Sequence, residues 1–163
     1  EPYWDGGYAG NPSLMPLIRE SPADDLLLVQ INPMLRPEAP QQVADIMDRI
    51  SEITFNASVL KELRTLQLLK NLLEQDGPAA QHPGRDPLFA RIQALRTHRI
   101  DGGAALQALG AASKLRTDPP FLQDLYTRGH ASAEAWLQAH RADLGQRATL
   151  DLRRACQMGS ESL

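Results

Sequence analysis

A short, largely apolar run between turn-forming residues constrains the fold more than any other part of the sequence. Leu26–Ile31 lies between Asp24-Asp25 and Asn32-Pro33. Apolar runs of this length are typical of strands that are buried on both faces of a parallel sheet covered by helices. Because one strand cannot pair its own backbone N–H and C=O groups, its neighbours must come from elsewhere in the chain or from a segment outside it. The run therefore predicts an α/β fold.

Most of the remaining chain is predicted to be helical. From Gln41 to Leu73, apolar residues recur at steps of three and four, which predicts one long amphipathic helix or two in line. The segment 54–58 is rich in poor helix formers, so we expect a bend there. The leucine stripe lacks a strict seven-residue repeat and is interpreted as core, with its second half deeply packed.

Shorter elements surround this helix. A helix is predicted through 14–18, capped by Ser13 or Asn11 and ended by Ser21-Pro22. A glycine- and proline-rich stretch over 76–87 is predicted to be a flexible loop. A helix is predicted over 88–95, the segment 96–101 is ambiguous and can form a strand, and 104–112 favours a helix.

The C-terminal part has clear helix boundaries in its sequence. Asp118 precedes two prolines, a pattern that predicts a helix N-terminus, and Gly129 is predicted to end that helix. A second helix is predicted from a cap at Ser132 to Gly145. A last helical turn is predicted at 150–152, and the terminus from Gly159 is expected to fray.

Composition and charge exclude several classes of protein. The chain has 163 residues, 42% of them hydrophobic, and a net charge of −3, which indicates one soluble globular domain. No apolar run is long enough to cross a bilayer. The arginines are scattered, so nucleic acid is not expected as a partner. The single Cys156 excludes an internal disulfide and favours a reducing compartment such as the cytoplasm.

Most sequence patterns that carry chemistry are absent from these residues. There is no phosphate-binding loop, paired-histidine metalloprotease helix, acidic calcium loop or dinucleotide-binding pattern. The sequence also lacks Gly-x-Ser-x-Gly, which presents a serine nucleophile between a strand and a helix. The histidines are not spaced as metal ligands, so no metal site is predicted, and each is interpreted as a surface or capping residue: His82, His98, His130 and His140.

One carboxylate stands out because it lies in a glycine-rich turn. Asp5 is followed by Gly6 and Gly7, then by Asn11-Pro12. Two glycines allow a positive φ or a close approach to another group, and the turn holds the Asp side chain in place. That arrangement suits a catalytic carboxylate, and it also suits an ordinary Asp-Gly turn.

The block Tyr3–Tyr8 with Asn11-Pro12 resembles the second signature of the patatin-like phospholipase family. Further blocks resemble the C-terminal half of bacterial patatin-like proteins, in the same order along the chain: Leu26–Pro33, Ile53–Ser58, Leu60–Arg64, His98–Ile100 and Gly129–Asp151. The resemblance covers nearly the whole chain and is weakest over 75–87. It implies the C-terminal part of a three-layer α/β domain, mostly helical here with one or two strands of a central sheet.

The resemblance also implies a function. Asp5 would be the general base of a Ser-Asp dyad that hydrolyses ester bonds in phospholipids or other acylglycerols, and Gly6, Gly7, Asn11 and Pro12 would shape its turn. No metal or organic cofactor would be needed. The family's glycine-rich oxyanion block and Gly-x-Ser-x-Gly nucleophile are not in this sequence, which begins at Glu1. We therefore expect an N-terminal half, covalently attached or separate, as the partner of this chain, and we expect the chain alone to be inactive.

A second interpretation belongs to another class of protein. The chain could be a non-catalytic, mainly helical binding or scaffold module in which Asp5-Gly6-Gly7 is only a turn. This interpretation explains the missing serine without a further segment. Its weakness is the apolar run at Leu26–Ile31, which in a helical protein would be a buried extended segment with its backbone N–H and C=O groups unpaired.

Overall fold

The computed structural model describes residues 1–35, 39–76 and 86–161. Most of these residues are helical. The loop predicted over 76–87 lies outside the described residues, apart from Asp76, Asp86 and Pro87 at its ends. In chain order the elements are α1 (Leu14–Glu20), β1 (Asp25–Gln30), α2 (Val43–Gln75), α3 (Pro87–Ala94), β2 (Arg96–Asp101), α4 (Gly103–Gln107), α5 (Pro119–His140) and α6 (Leu152–Glu161), with 3-10 turns at Gly6–Tyr8, Ala111–Leu115 and Arg141–Asp143.

The two strands form a parallel pair. Asp25 lies opposite Arg96, and the register continues to Gln30 opposite Asp101. Parallel strands require a long crossover connection, which α2 and α3 provide here. The predicted α/β class is therefore confirmed, and the ambiguous segment 96–101 is a strand.

The prediction that β1 is buried on both faces is wrong. Leu26 and Leu28 pack against the core, but the side chains that point to the opposite face are exposed. Leu27 is 43% exposed, Val29 66% and Ile31 68%. On this side α5 covers β2, and no described element covers β1 to the same extent. One face of β1 is therefore an open apolar surface in the described part of the chain.

The core lies on the other side of the sheet, between α1, α2, α3 and α6. Its largest fully buried apolar side chains are Leu63, Leu66 and Ile92.

The interpretation of the α2 stripe as core is confirmed only for part of the helix. Val43 and Ile50 in the first half of α2 are more than half exposed, and two side chains in the second half are also exposed: Leu68 and Leu72.

Helix α2 runs without interruption through the segment in which we expected a bend. Its 33 residues include 54–58, and the Thr54 hydroxyl donates a hydrogen bond of 2.8 Å to the carbonyl of Ile50. A Ser or Thr side chain inside a helix can satisfy its hydroxyl in this way. Packing of the following turns against α3 and α6 stabilises the helix beyond its local propensity.

The C-terminal part differs from the prediction in two ways. Helix α5 is a single helix of 22 residues that passes through Gly129 and Ser132, so the predicted stop and second cap are wrong. The predicted start is confirmed, because the Asp118 carboxylate accepts a hydrogen bond from the Phe121 amide, 3.2 Å away. Helix α6 is longer than the predicted single turn, because Leu152 and Ala155 bury their side chains.

None of the helices in residues 1–35, 39–76 and 86–161 combines the length and apolar character that a bilayer crossing requires.

Candidate functional site

The Asp5 side chain is held at the start of a 3-10 turn. Oδ1 of Asp5 accepts a hydrogen bond of 2.8 Å from the amide of Gly7. The backbone carbonyl of Asp5 accepts one of 3.2 Å from the amide of Tyr8. A carboxylate in this position satisfies an amide that the turn leaves without a backbone partner. In the described part of the chain no other hydrogen bond to the Asp5 carboxylate is formed, so Oδ2 remains available.

The two glycines of the turn are not equivalent. Neither has a positive φ, so the left-handed conformation that two glycines would permit is not used. A Cβ at Gly7 would lie 3.2 Å from Oδ1 of Asp5 and 3.6 Å from Cε1 of Phe55, whereas a Cβ at Gly6 would meet nothing within 4 Å. Close approach at Gly7 is therefore the one steric reason for a glycine here.

Aromatic rings connect the turn to α2. The centroids of Trp4 and Tyr8 are 5.8 Å apart, and those of Tyr8 and Phe55 are 5.4 Å apart. Ring pairs at these separations attract one another in tilted arrangements. Trp4 is nevertheless 82% exposed and Tyr8 63%. The rings form one apolar border of the site and leave it open to solvent.

The segment after the turn is also fixed to α2. The Asn11 amide donates a hydrogen bond of 2.8 Å to Oγ of Ser58. Oε2 of Glu62 accepts from the amides of Leu14 and Met15, at 3.1 and 3.4 Å. Glu62 thus caps the N-terminus of α1, where we expected Ser13 or Asn11. Ser13 makes no side-chain cap hydrogen bond.

A groove of about 650 Å³ lies beside the Asp5 turn. Asp5, Asn11 and Pro12 line it, so three of the residues singled out in the sequence share one surface, while Gly6 and Gly7 support the turn outside the lining. The Asn11-Pro12 peptide bond is cis. Other parts of the lining come from the end of β1, from α2 and from the 3-10 turn at Ala111–Leu115: Leu28, Val29, Gln30, Ile31, Asn32, Ser51, Phe55, Asn56, Val59, Lys114 and Leu115.

The chain that leaves β1 is held by polar contacts at the floor of the groove. The buried side chain of Asn56 donates a hydrogen bond of 2.8 Å to the carbonyl of Pro33. The Lys114 ammonium donates one of 2.8 Å to Oδ1 of Asn32 and lies 5.6 Å from the centre of the Phe55 ring. The groove therefore combines an apolar lining with one carboxylate and one ammonium group.

A second polar cluster lies at the other end of the sheet. Asp25 accepts hydrogen bonds from Arg96 (2.8 and 3.1 Å), from Nε2 of His98 (3.0 Å) and from the amide of Gly145 (3.1 Å). Nδ1 of His98 lies 2.9 Å from Oγ1 of Thr149. Hydrogen bonding to Arg96 holds the pKa of Asp25 well below its usual range; partial burial opposes this, and the bonds from His98 and Gly145 lower it further.

The carboxylate, imidazole and hydroxyl groups of this second cluster follow the order of a catalytic triad. His98 is fully buried, however, and the ring of Trp136 packs edge-on against it at 5.7 Å. A substrate cannot reach the imidazole in this arrangement. Arg96 also neutralises Asp25, which weakens the ability of the carboxylate to stabilise an imidazolium. The cluster fixes β1, β2 and the loop before α6 to one another.

The interpretation of His98 as a surface or capping residue is therefore wrong. His140 is half-buried, with its Nδ1 3.0 Å from Oδ2 of Asp143, and His130 is exposed. His82 lies outside the described residues. Within the described ranges, no three His, Cys, Asp or Glu side chains are placed together to hold a metal ion.

Sequence reasoning also missed Ser58 and Glu62, although both lie in blocks that carry the family resemblance. Their spacing of four residues places them on one face of a helix, which could have shown that they act together. Nothing in the sequence alone shows that this face meets the Asp5 segment.

Comparisons with known protein families, curated proteins and solved structures found no match to this chain.

Proposed function

We propose that the chain is the C-terminal segment of a serine-aspartate lipid acyl hydrolase of the patatin-like type, with Asp5 as general base. The position of the Asp5 carboxylate is the observation that supports this most. Its Oδ1 is held by the Gly7 amide, its Oδ2 is available, and it borders an apolar groove beside the end of β1. Ligand sites in open α/β sheets lie outside the carboxyl ends of parallel strands.

In the proposed reaction, Asp5 takes the proton of a serine hydroxyl as the serine oxygen attacks the ester carbonyl. Backbone amides of a glycine-rich block stabilise the oxyanion that forms. The alcohol leaves with that proton, and water then releases the fatty acid from the acyl-serine. The serine and the glycine block come from the N-terminal half, and the reaction needs no metal or organic cofactor.

The lining of the groove is suited to an acyl chain. Leu28, Val29, Phe55 and Val59 contribute apolar surface, as expected for a site that binds lipid. The open face of β1 supports the proposed partner, because a parallel strand is normally covered on both faces. The N-terminal half would cover this face and extend the sheet. The intact protein would act in the cytoplasm, at a membrane surface when its substrate is a phospholipid.

Two observations favour the alternative, a non-catalytic binding or scaffold module. β1 finds a parallel partner, β2, within the chain, so its backbone pairing does not depend entirely on another segment. Asp5 also caps its own turn, as an ordinary structural Asp would. In this alternative the groove and the open face of β1 are surfaces for a partner protein.

Replacement of Asp5 by Asn tests the enzyme directly. In the intact protein we expect Asp5→Asn to lower kcat for a chromogenic short-chain ester by at least about 100-fold, because the amide cannot accept the serine proton. Asn keeps an acceptor oxygen for the Gly7 amide, so the thermal midpoint should change little. Asp124→Asn, on α5 and outside the groove lining, is the matched control and should retain activity.

Full activity of Asp5→Asn would contradict the role of Asp5. The reading frame gives a second, independent check: the proposal requires a Gly-x-Ser-x-Gly pattern encoded upstream of Glu1. A frame that opens at Glu1 would favour the scaffold interpretation.

A further inference from the structure

In the described part of the chain, one face of α2 makes three side-chain contacts with the segment that runs from the Asp5 turn to the start of α1. Phe55, Ser58 and Glu62 follow one another at steps of three and four, so they lie on the same side of the helix. Phe55 contacts the turn itself, Ser58 contacts Asn11, and Glu62 contacts the start of α1. The three contacts occur in chain order along two helical turns.

The Glu62 contact replaces a local cap. The first amides of an α-helix have no partner within the helix. At α1 the amides of Leu14 and Met15 donate to Oε2 of Glu62, whose charge also interacts favourably with the positive end of the helix. A local Ser13 cap would satisfy the Met15 amide without any contact with α2. The distant carboxylate instead fixes where α1 begins relative to α2.

Ser58 fixes the segment closer to the turn. Asn11 lies six residues after Asp5, and its amide is held at 2.8 Å from Oγ of Ser58. Between these two points the backbone is tightly bonded, because the amides of Ala9 and Gly10 both donate to the carbonyl of Gly6. A displacement at Asn11 is therefore transmitted to the Asp5 turn.

We infer that Ser58 and Glu62 are positioning residues for the Asp5 carboxylate. This inference rests on the proposed function of Asp5. Neither side chain touches the reacting atoms; each holds the backbone that carries the base. General-base catalysis depends steeply on the distance between the base and the proton, so loosening this backbone lowers the rate of the chemical step more than substrate binding.

The kinetic test uses Ser58→Ala and Glu62→Ala in the intact protein. We expect each to lower kcat by about 10- to 100-fold and to change KM by less than about threefold, because the loss is in the geometry of the base. Ser58→Thr and Glu62→Gln each keep an acceptor oxygen and should recover most of the activity. Thr65→Ala is the control, because among the described residues its hydroxyl bonds only the Lys61 carbonyl of the same helix.

Amide hydrogen exchange on the same variants gives a readout besides activity. In Ser58→Ala the amides of Asn11 and Gly7 should exchange about tenfold faster, and in Glu62→Ala those of Leu14 and Met15 should do so. Amides of β2 should be unchanged, which separates local loosening from global destabilisation. If one variant does not fold, the other still decides the matter.

The outcomes distinguish the two proposals. If Asp5→Asn is inactive while Ser58→Ala and Glu62→Ala keep wild-type kcat, the positioning role is overturned and the proposed function stands. If Asp5→Asn is fully active, the proposed function is overturned. Ser58 and Glu62 then have no effect on catalysis through Asp5. Unchanged exchange at Gly7 and Asn11 in Ser58→Ala would overturn the positioning role whatever the activity.

Discussion

The Asp25 carboxylate of β1 links the two strands, because it accepts three hydrogen bonds from the side chains of Arg96 and His98 in β2. Its donors are Arg96, His98 and the Gly145 amide. Because its pKa in the folded protein is lowered, the folded state binds a proton less readily than the unfolded state. The stabilisation is therefore fully present above the unfolded pKa, about 3.9, and is lost as the pH falls towards the lower folded value.

Asp25→Asn should lower the free energy of unfolding at pH 7 by about 2 kcal/mol, because it removes the charge that pairs with Arg96. The difference from the wild type should shrink between pH 5 and pH 2. Urea unfolding at several pH values measures both effects. Asp24→Asn is the matched control: Asp24 is half-exposed and 3.9 Å from Arg96, so its loss should be small. A constant difference across this pH range would contradict the linkage.

At the scale of single residues, the sequence shows which groups are unusual but not what they contact. It singled out Asp5, Asn11 and Pro12, and these residues do line one groove. It did not show that Glu62 caps α1 or that His98 is buried, because both depend on contacts across 47 or more positions of the chain. A local pattern can indicate a cap or a turn, but not a partner brought close by tertiary packing.

At the scale of elements, we have opposite expectations for two glycines, one inside α5 and one after the 3-10 turn that follows it. Gly129 lies inside the helix, and a Cβ there meets nothing within 4 Å. Gly129→Ala should raise the free energy of unfolding by about 1 kcal/mol, because alanine loses less backbone entropy in a helix. Thermal or urea unfolding measures this. Destabilisation by Gly129→Ala would instead support the helix end predicted at this position.

Gly145→Ala is the contrasting variant. Gly145 has φ of +75°, a conformation that costs any residue with a Cβ about 1 kcal/mol or more. The Gly145 amide donates a hydrogen bond to Asp25, so a shift of the backbone at this position would also weaken that hydrogen bond. We expect a loss of stability of similar size to the gain at Gly129.

Elements with strong local signals were predicted well, and those decided by tertiary contacts were not. The start of α5 was found because Asp118 and two prolines define it locally. Its continuation past Gly129 was missed, because one glycine costs less than the rest of the helix gains. β2 stayed ambiguous because its residues are mostly polar, Arg96 to Arg99, and become a strand only by pairing with β1.

At the scale of the whole molecule, the open face of β1 distinguishes this chain from the proposed intact protein. Val29→Lys should change the free energy of unfolding of the 163-residue chain by less than about 0.5 kcal/mol, because Val29 is 66% exposed. In the intact protein it should cost several kcal/mol, because an N-terminal half would bury the charge. Gln138→Lys, at an exposed position of α5, should be neutral in both. Equal effects of Val29→Lys would contradict burial of this face.

The parallel pairing of β1 with β2 also affects the order in which the chain folds. Asp25 and Arg96 are 71 positions apart, and the connection between them contains α2 and α3. Helical turns form within microseconds from local contacts, whereas the strands can meet only after the entropy of closing this long loop has been lost. During synthesis β1 emerges from the ribosome well before β2. Its backbone therefore stays unpaired, and its apolar side chains stay exposed, until β2 has been made. A molecular chaperone that binds nascent chains would find Leu26–Ile31 accessible during this interval.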